Sequence, residues 1–201
     1  LQNKKRYIAY NNFRKDIFAQ LAPRHAEAIL YLLPWMLSLN HPSVPGYVKE
    51  IKKPFQVFSI EKNRDITKRE RNFKNSFNIK KEDSLLRFPA DVNLIQGVYT
   101  IGSVGTVSQT SRSDCDIWIC INKDSFDDKT FLQFTQKVNL IKDWFDANLK
   151  MPVFFFISDV EDVKSCNYGS IGHESSGSTQ RNILKEEFYR TTVLICGRIP
   201  L

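Results

Sequence analysis

Asp114 and Asp116 bracket one residue at the head of a short apolar run, residues 117–121. In an extended strand side chains alternate between faces, so an Asp-x-Asp pair sends both carboxylates the same way. Two carboxylates a few ångströms apart repel each other unless a cation sits between them. Upstream, a second apolar run, residues 98–101, leads into Gly102 and Ser103. Such a turn offers backbone N–H groups and a hydroxyl to a phosphate. Carboxylates for a divalent cation beside amides for a phosphate make a metal-plus-phosphate arrangement. The plain alternatives are a solvated strand start at Asp114 and Asp116 and a strand-to-helix turn with an N-cap serine at Ser103.

These groups need elements to hold them. The spacing predicts a strand over 98–101, a strand over 117–121 and an amphipathic helix over 127–149. In that helix Phe131, Phe134, Val138, Ile141 and Phe145 recur at helical intervals, with Trp144 widening the stripe. A third strand is expected over 152–158, ending at Asp159. Asp159 shares parity with Val153, Phe155 and Ile157 and is the expected third carboxylate; Glu161, of the same parity, is its rival. A Gly/Ser-rich loop spans 165–180. A last helix is read over 183–196, with Gly197 as its C-cap. Before the site, helical patterns run over residues 1–21 and 26–37, with Pro34 as a kink or an end. A possible strand at 52–60, a surface helix at 62–75 and irregular chain over 76–94 follow. The expected fold class is α/β (α+β): a mixed sheet flanked by helices, with an N-terminal helical and basic region, 1–93, packed on a core, 94–201.

The 201 residues, 42% hydrophobic and 12% aromatic, suit a globular core and exclude a disordered chain. No apolar run approaches the roughly 20 residues of a membrane span. The start, Leu1 to Arg6, lacks Met and a signal-type apolar core, which reads as a piece of a longer chain. Cys115, Cys120, Cys166 and Cys196 form no Cys-x-x-Cys pair and fit reduced thiols of a cytoplasmic protein. Cys115 should point away from the carboxylates and pack. His25, His41 and His173 lack ligand spacing. The net charge of +7 is concentrated in residues 49–81, where eleven basic residues face four acids. That segment could steer a polyanion, but it lacks the aromatic interleaving of a nucleic-acid platform and reads first as a solvated helix.

The order strand, Gly-Ser turn, Asp-x-Asp strand, helix, acid-bearing strand resembles the nucleotidyltransferase (polymerase-beta-like) superfamily. Further blocks narrow the resemblance: His41-Pro42, Pro45-Gly46-Tyr47, residues 97–103, 113–118, 155–157, Gly177-Ser178-Thr179-Gln180 and Glu187-Phe188-Tyr189-Arg190-Thr191. In this order they resemble the N-terminal catalytic part of class I adenylate cyclases of gamma-proteobacteria. The resemblance implies ATP as substrate, cyclised to 3′,5′-cyclic AMP with release of pyrophosphate. It implies Mg²⁺, or Mn²⁺, on Asp114, Asp116 and Asp159, with Asp159 alternatively a general base. It implies substrate contacts from Gly102 and Ser103, and from Ser178, Thr179, Gln180 and Arg190. For the latter four, a surface loop and an exposed ion pair are the competing readings. Family chains continue further, with control by the sugar-phosphotransferase system through a C-terminal part, so the piece alone is expected to be incomplete. Cys115 departs from the family, which more often has an aliphatic residue there. Two other functions remain open: transfer of a nucleotidyl group to a separate acceptor, with the same site residues, and a non-catalytic polyanion- or partner-binding module.

Overall fold

The computed structural model describes residues 2–51, 55–80, 94–110, 113–149, 152–165 and 190–199. A four-stranded mixed sheet, ordered β3-β2-β1-β4, lies at its centre with helices around it. The strands are β1 (Ile95–Ile101), β2 (Cys115–Ile121), β3 (Val153–Asp159) and β4 (Val193–Gly197). β1 runs antiparallel to both β2 and β4; β3 runs parallel to β2. The parallel step needs a crossover, supplied by the long helix between β2 and β3.

The helices are α1 (Gln2–Leu21), α2 (Pro23–Glu27), α3 (Leu33–Ser38), α4 (Arg64–Ser76), α5 (Asp128–Asn148) and α6 (Val160–Ser165). Pro34 leaves its mark as expected. It has no N–H, and the turn before it, Ala28–Leu32, widens to a π-helix that continues into α3. α5 starts where the Asp127 side chain accepts from the Thr130 amide at 2.7 Å. Phe134, Val138, Ile141 and Phe145 are buried along it, while Phe131 sits at the margin. Phe134 meets Phe55 edge-on with ring centres 5.0 Å apart, and Phe145 meets Phe155 at 5.9 Å. Lys137 takes a place on the same buried stripe that periodicity alone would give to an apolar residue. Its ammonium donates to the carbonyls of Leu39 and Gly46, the latter at 3.1 Å.

The main core gathers Phe18, Leu33, Trp35, Phe55, Ile117, Phe134 and Ile195, so the N-terminal helices and the sheet share one cluster. A smaller cluster covers the other sheet face: Tyr99, Trp118 and Cys120, under Val163 of α6. α4 forms close to its expected place, capped by Asn63. Its cations are partly engaged: Arg69 pairs with Glu27 at 3.0 Å and lies over Tyr31, and Lys74 pairs with Glu70 at 3.4 Å.

Two expectations are corrected. Residues 55–60 form no strand, only an isolated bridge from Val57 to Ile95. The last helix read over 183–196 does not reach its end: Val193–Gly197 is strand β4, paired with β1. Gly197 is no helix cap; at φ +112 it lies against Gly97, whose Cα would be 2.5 Å from an added Cβ. The edge of β4 is sealed by α1. The Asn11 side chain donates to the Leu194 carbonyl at 3.2 Å and accepts from its amide at 2.6 Å, and Lys15 donates to the Ile195 carbonyl at 3.1 Å. These polar residues of α1 do the work of a neighbouring strand, which is why the helix carries so weak an apolar stripe.

Candidate active site

The hairpin β1–β2 assembles the groups singled out above. Ile101, the last residue of β1, registers with Asp116, and Gly102 and Ser103 follow directly. Asp114 stands two residues before Asp116, ahead of β2. Cys115 and Ile117 belong to the main core, so alternation puts Asp116 on the opposite face, with Trp118 and Cys120. Asp114 is exposed and Asp116 half-buried. Phe154, in register with Asp116 on β3, is 45% exposed, so this corner of the sheet opens to solvent. Cys115 points inward as expected, 3.4 Å from the Thr100 hydroxyl. Burial pushes its thiol up to about 12, and the flanking carboxylates add to that, so it stays protonated and packs as an apolar side chain.

The turn after β1 is tightly built. Gly102 has φ +94 and Gly105 φ +69, a region in which a Cβ is strained. The Ser103 carbonyl accepts from the Thr106 amide at 2.9 Å and from its hydroxyl at 2.7 Å. The Gly105 amide donates to Gln109 Oε1 at 2.7 Å, and the Gly102 amide to Thr191 Oγ1 at 3.4 Å. Further on, the Thr110 amide donates to Ser113 Oγ at 2.9 Å, next to Asp114.

Asp159 is not brought to this corner. Asp116 registers with Phe154, whereas Asp159 registers with Ile121 at the far end of β2. Five residues of strand separate Phe154 from Asp159, roughly 16 Å at the rise of an extended chain. Parity also excludes it: Asp159 falls on the side of Val153, Phe155 and Ile157, in register with the core-facing residues of β2. Its carboxylate accepts from the Lys123 amide at 3.0 Å and the Glu161 amide at 2.8 Å, so it joins a loop to the start of α6. The rival Glu161 lies at that same end and pairs with Lys164 at 2.7 Å. Ser178, Thr179 and Gln180 lie outside the described residues. Arg190 is exposed and adjoins Thr191, which reaches the Gly102 amide.

Two residues of this corner have no role assigned from the sequence: Thr191, and Arg14 of α1, whose guanidinium donates to the carbonyls of Gly102 and Val104. Thr191 stood in the Tyr-Arg-Thr block of the resemblance with no role attached; Arg14 stood in no block.

Comparison with known proteins shows what the chain is similar to. The family described as adenylate cyclase NT domain matches residues 1–201. The adenylate cyclase of Escherichia coli K12 is 32% identical over 197 residues, 97% of this chain and 22% of that protein. That of Haemophilus influenzae Rd is 35% identical over 181 residues, 86% of this chain and 20% of the relative. That of Yersinia intermedia is 30% identical over 196 residues, 97% and 22% respectively. The chain thus spans about a fifth of the length of these relatives. No solved structure matches it. The chain belongs to the adenylate cyclase N-terminal domain family.

Proposed function

We propose that this chain is the nucleotide-processing part of an adenylate cyclase, built on a nucleotidyltransferase-like core. The reading is supported above all by the placement of two unlike groups at one end of one hairpin. Ile101 faces Asp116, and the Gly102-Ser103 turn follows at once. A phosphate held at the turn would lie beside the carboxylates.

Asp114 and Asp116 fit Mg²⁺, or Mn²⁺, shared with a nucleotide. Such an ion takes a carboxylate or two and keeps water and phosphate oxygens. Among the described residues, no group of three or more His, Cys, Asp or Glu side chains gathers that could hold a metal ion. Bound by this pair, the ion would neutralise phosphate charge and favour ionisation of the ribose 3′ oxygen.

The protein's own part is positioning. Ser103 offers its amide and hydroxyl to a phosphate of ATP. The 3′ oxygen forms a bond to the α-phosphorus, and the bond from that phosphorus to the α–β bridging oxygen breaks. The electron pair leaves on pyrophosphate, and the hydroxyl proton passes to water. A cytoplasmic location and control by a sugar-phosphotransferase system belong to the same reading. Among the described residues no helix is long and apolar enough to cross a membrane.

The test is product analysis of the native full-length protein carrying this segment, supplied with ATP and Mg²⁺ and no acceptor. Cyclic AMP and pyrophosphate in equal amounts are expected. Nucleotide incorporation that depends on an added acceptor, without cyclic AMP, would replace this reading with nucleotidyl transfer.

A further inference from the structure

Arg14 sits beneath the phosphate turn, ninety residues upstream of Val104 in sequence. It is 3% exposed. Its Nε donates to the Val104 carbonyl at 2.8 Å, and one terminal nitrogen donates to Val104 O and, at 3.0 Å, to Gly102 O. The other terminal nitrogen meets the Tyr10 hydroxyl at 3.2 Å. Among the described residues no carboxylate pairs with it. The guanidinium also lies 5.6 Å from the centre of the Tyr10 ring. A buried cation held by carbonyl dipoles and one tyrosine retains much of its field and favours an anion nearby.

The direction of that anion follows from peptide geometry. Within a planar trans peptide the C=O of one residue and the N–H of the next point opposite ways. With the carbonyls of Gly102 and Val104 turned onto Arg14, the amides of Ser103 and Gly105 face away from it. Gln109 takes the Gly105 amide. The amide and hydroxyl of Ser103 have no hydrogen-bond partner among the described residues. Among the described residues, a Cβ built on Gly102 meets nothing within 4 Å. A Cβ on Gly105 would come within 2.1 Å of the Arg14 carbonyl, so helix and turn are in direct contact.

We infer that Arg14 is a positioning residue for a phosphate of ATP, turning the Ser103 amide towards the nucleotide and lending the turn its positive charge. This rests on the cyclase reading, and the test separates the two. The native full-length protein carrying this segment is titrated with ATP and with adenosine in Mg²⁺, as wild type, Arg14→Met and Arg14→Lys. Wild type should bind ATP at least about tenfold more tightly than adenosine. Arg14→Met should lose roughly tenfold or more in ATP affinity and keep adenosine within about twofold; Arg14→Lys, with charge but no fork, should fall between. In wild type, ATP should shift the Ser103 amide resonance and slow its hydrogen exchange, a readout independent of how well any variant folds. A folded Arg14→Met chain that binds ATP like wild type, or loses ATP and adenosine alike, overturns the inference, as does an unmoved Ser103 amide. A wild-type chain with no preference for ATP over adenosine overturns the cyclase reading itself, before Arg14 enters.

Discussion

Asp116 stands in register with Phe154 on β3, five residues short of Asp159. The two acids therefore sit at opposite ends of the β2–β3 pair, and paired substitutions should separate their roles. In the full-length protein, Asp116→Asn should cut cyclic AMP formation by about a hundredfold or more, as expected when a ligand of developing charge is lost, while the melting temperature holds. Near-normal cyclic AMP output from that variant would sink the site.

Asp159→Asn should do the reverse. It weakens the acceptor that joins the Lys123 amide, in the loop after β2, to the Glu161 amide at the start of α6. Asp159→Ala, which removes it, should cost about 1 kcal/mol of stability with activity within a few fold of wild type. Denaturant unfolding and initial rates measured on one preparation decide it; an activity loss as large as that of Asp116→Asn would restore Asp159 to the chemistry.

The two positive-φ glycines of the turn should respond differently. Gly105→Ala puts a methyl group within 2.1 Å of the Arg14 backbone and should cost about 2 kcal/mol or more, loosening α1 from the turn. Gly102→Ala meets none of the described residues and should cost about 1 kcal/mol, from backbone strain. Its larger effect should fall on ATP affinity, because strain at Gly102 disturbs the turn that carries the Ser103 amide. Equal melting temperatures for the two variants would contradict this.

Lys137 should leave a signature in the pH dependence of stability. Burial lowers its ammonium from 10.5 to about 7. Between those values the unfolded chain holds a proton that the folded chain does not, so stability rises with pH there. Below about 7 both states are protonated and the slope vanishes. Lys15, also lowered by burial, adds a contribution of the same sign. Above pH 9 the thiols of Cys115 and Cys120, pushed up to about 12, and Cys196, pushed up to about 11, oppose the rise. Lys137→Met should flatten the curve between pH 7 and 9 and leave a protein at least as stable at pH 7. An unchanged slope in chemical denaturation at pH 7 and 9 would refute the assignment.

What the sequence revealed and withheld divides along physical lines. β1, β2, α5 and β3 were readable because each carries its own periodicity and sits between clear turn residues. Gly102, Ser103, Asp114 and Asp116 were readable because one hairpin holds them all. Asp159 misled because parity within β3 says nothing of which face of β2 that parity joins, nor of the register. Both depend on how α5 returns the chain. β4 was missed because Val193-Leu194-Ile195-Cys196 follows a helical pattern, and its partner lies about a hundred residues away. Arg14 was invisible for a related reason: it binds backbone carbonyls, and carbonyls have no residue type to recognise. Lys137 shows the same blindness from the core side, as a cation that periodicity would never place among phenylalanines.

The clasp between Asn11 and Leu194 bears on how such a chain is made. These partners are 183 residues apart, and the clasp lies beside the turn that Arg14 grips. During vectorial synthesis α1 emerges early and must wait for β4 before its polar face is satisfied. Until then β1 presents an unpaired edge, the form of strand most prone to wrong pairing. A chain stopped at Ser165 should therefore be recovered with α5 helical but aggregation-prone, and should gain solubility when a peptide spanning residues 190–199 is added in trans.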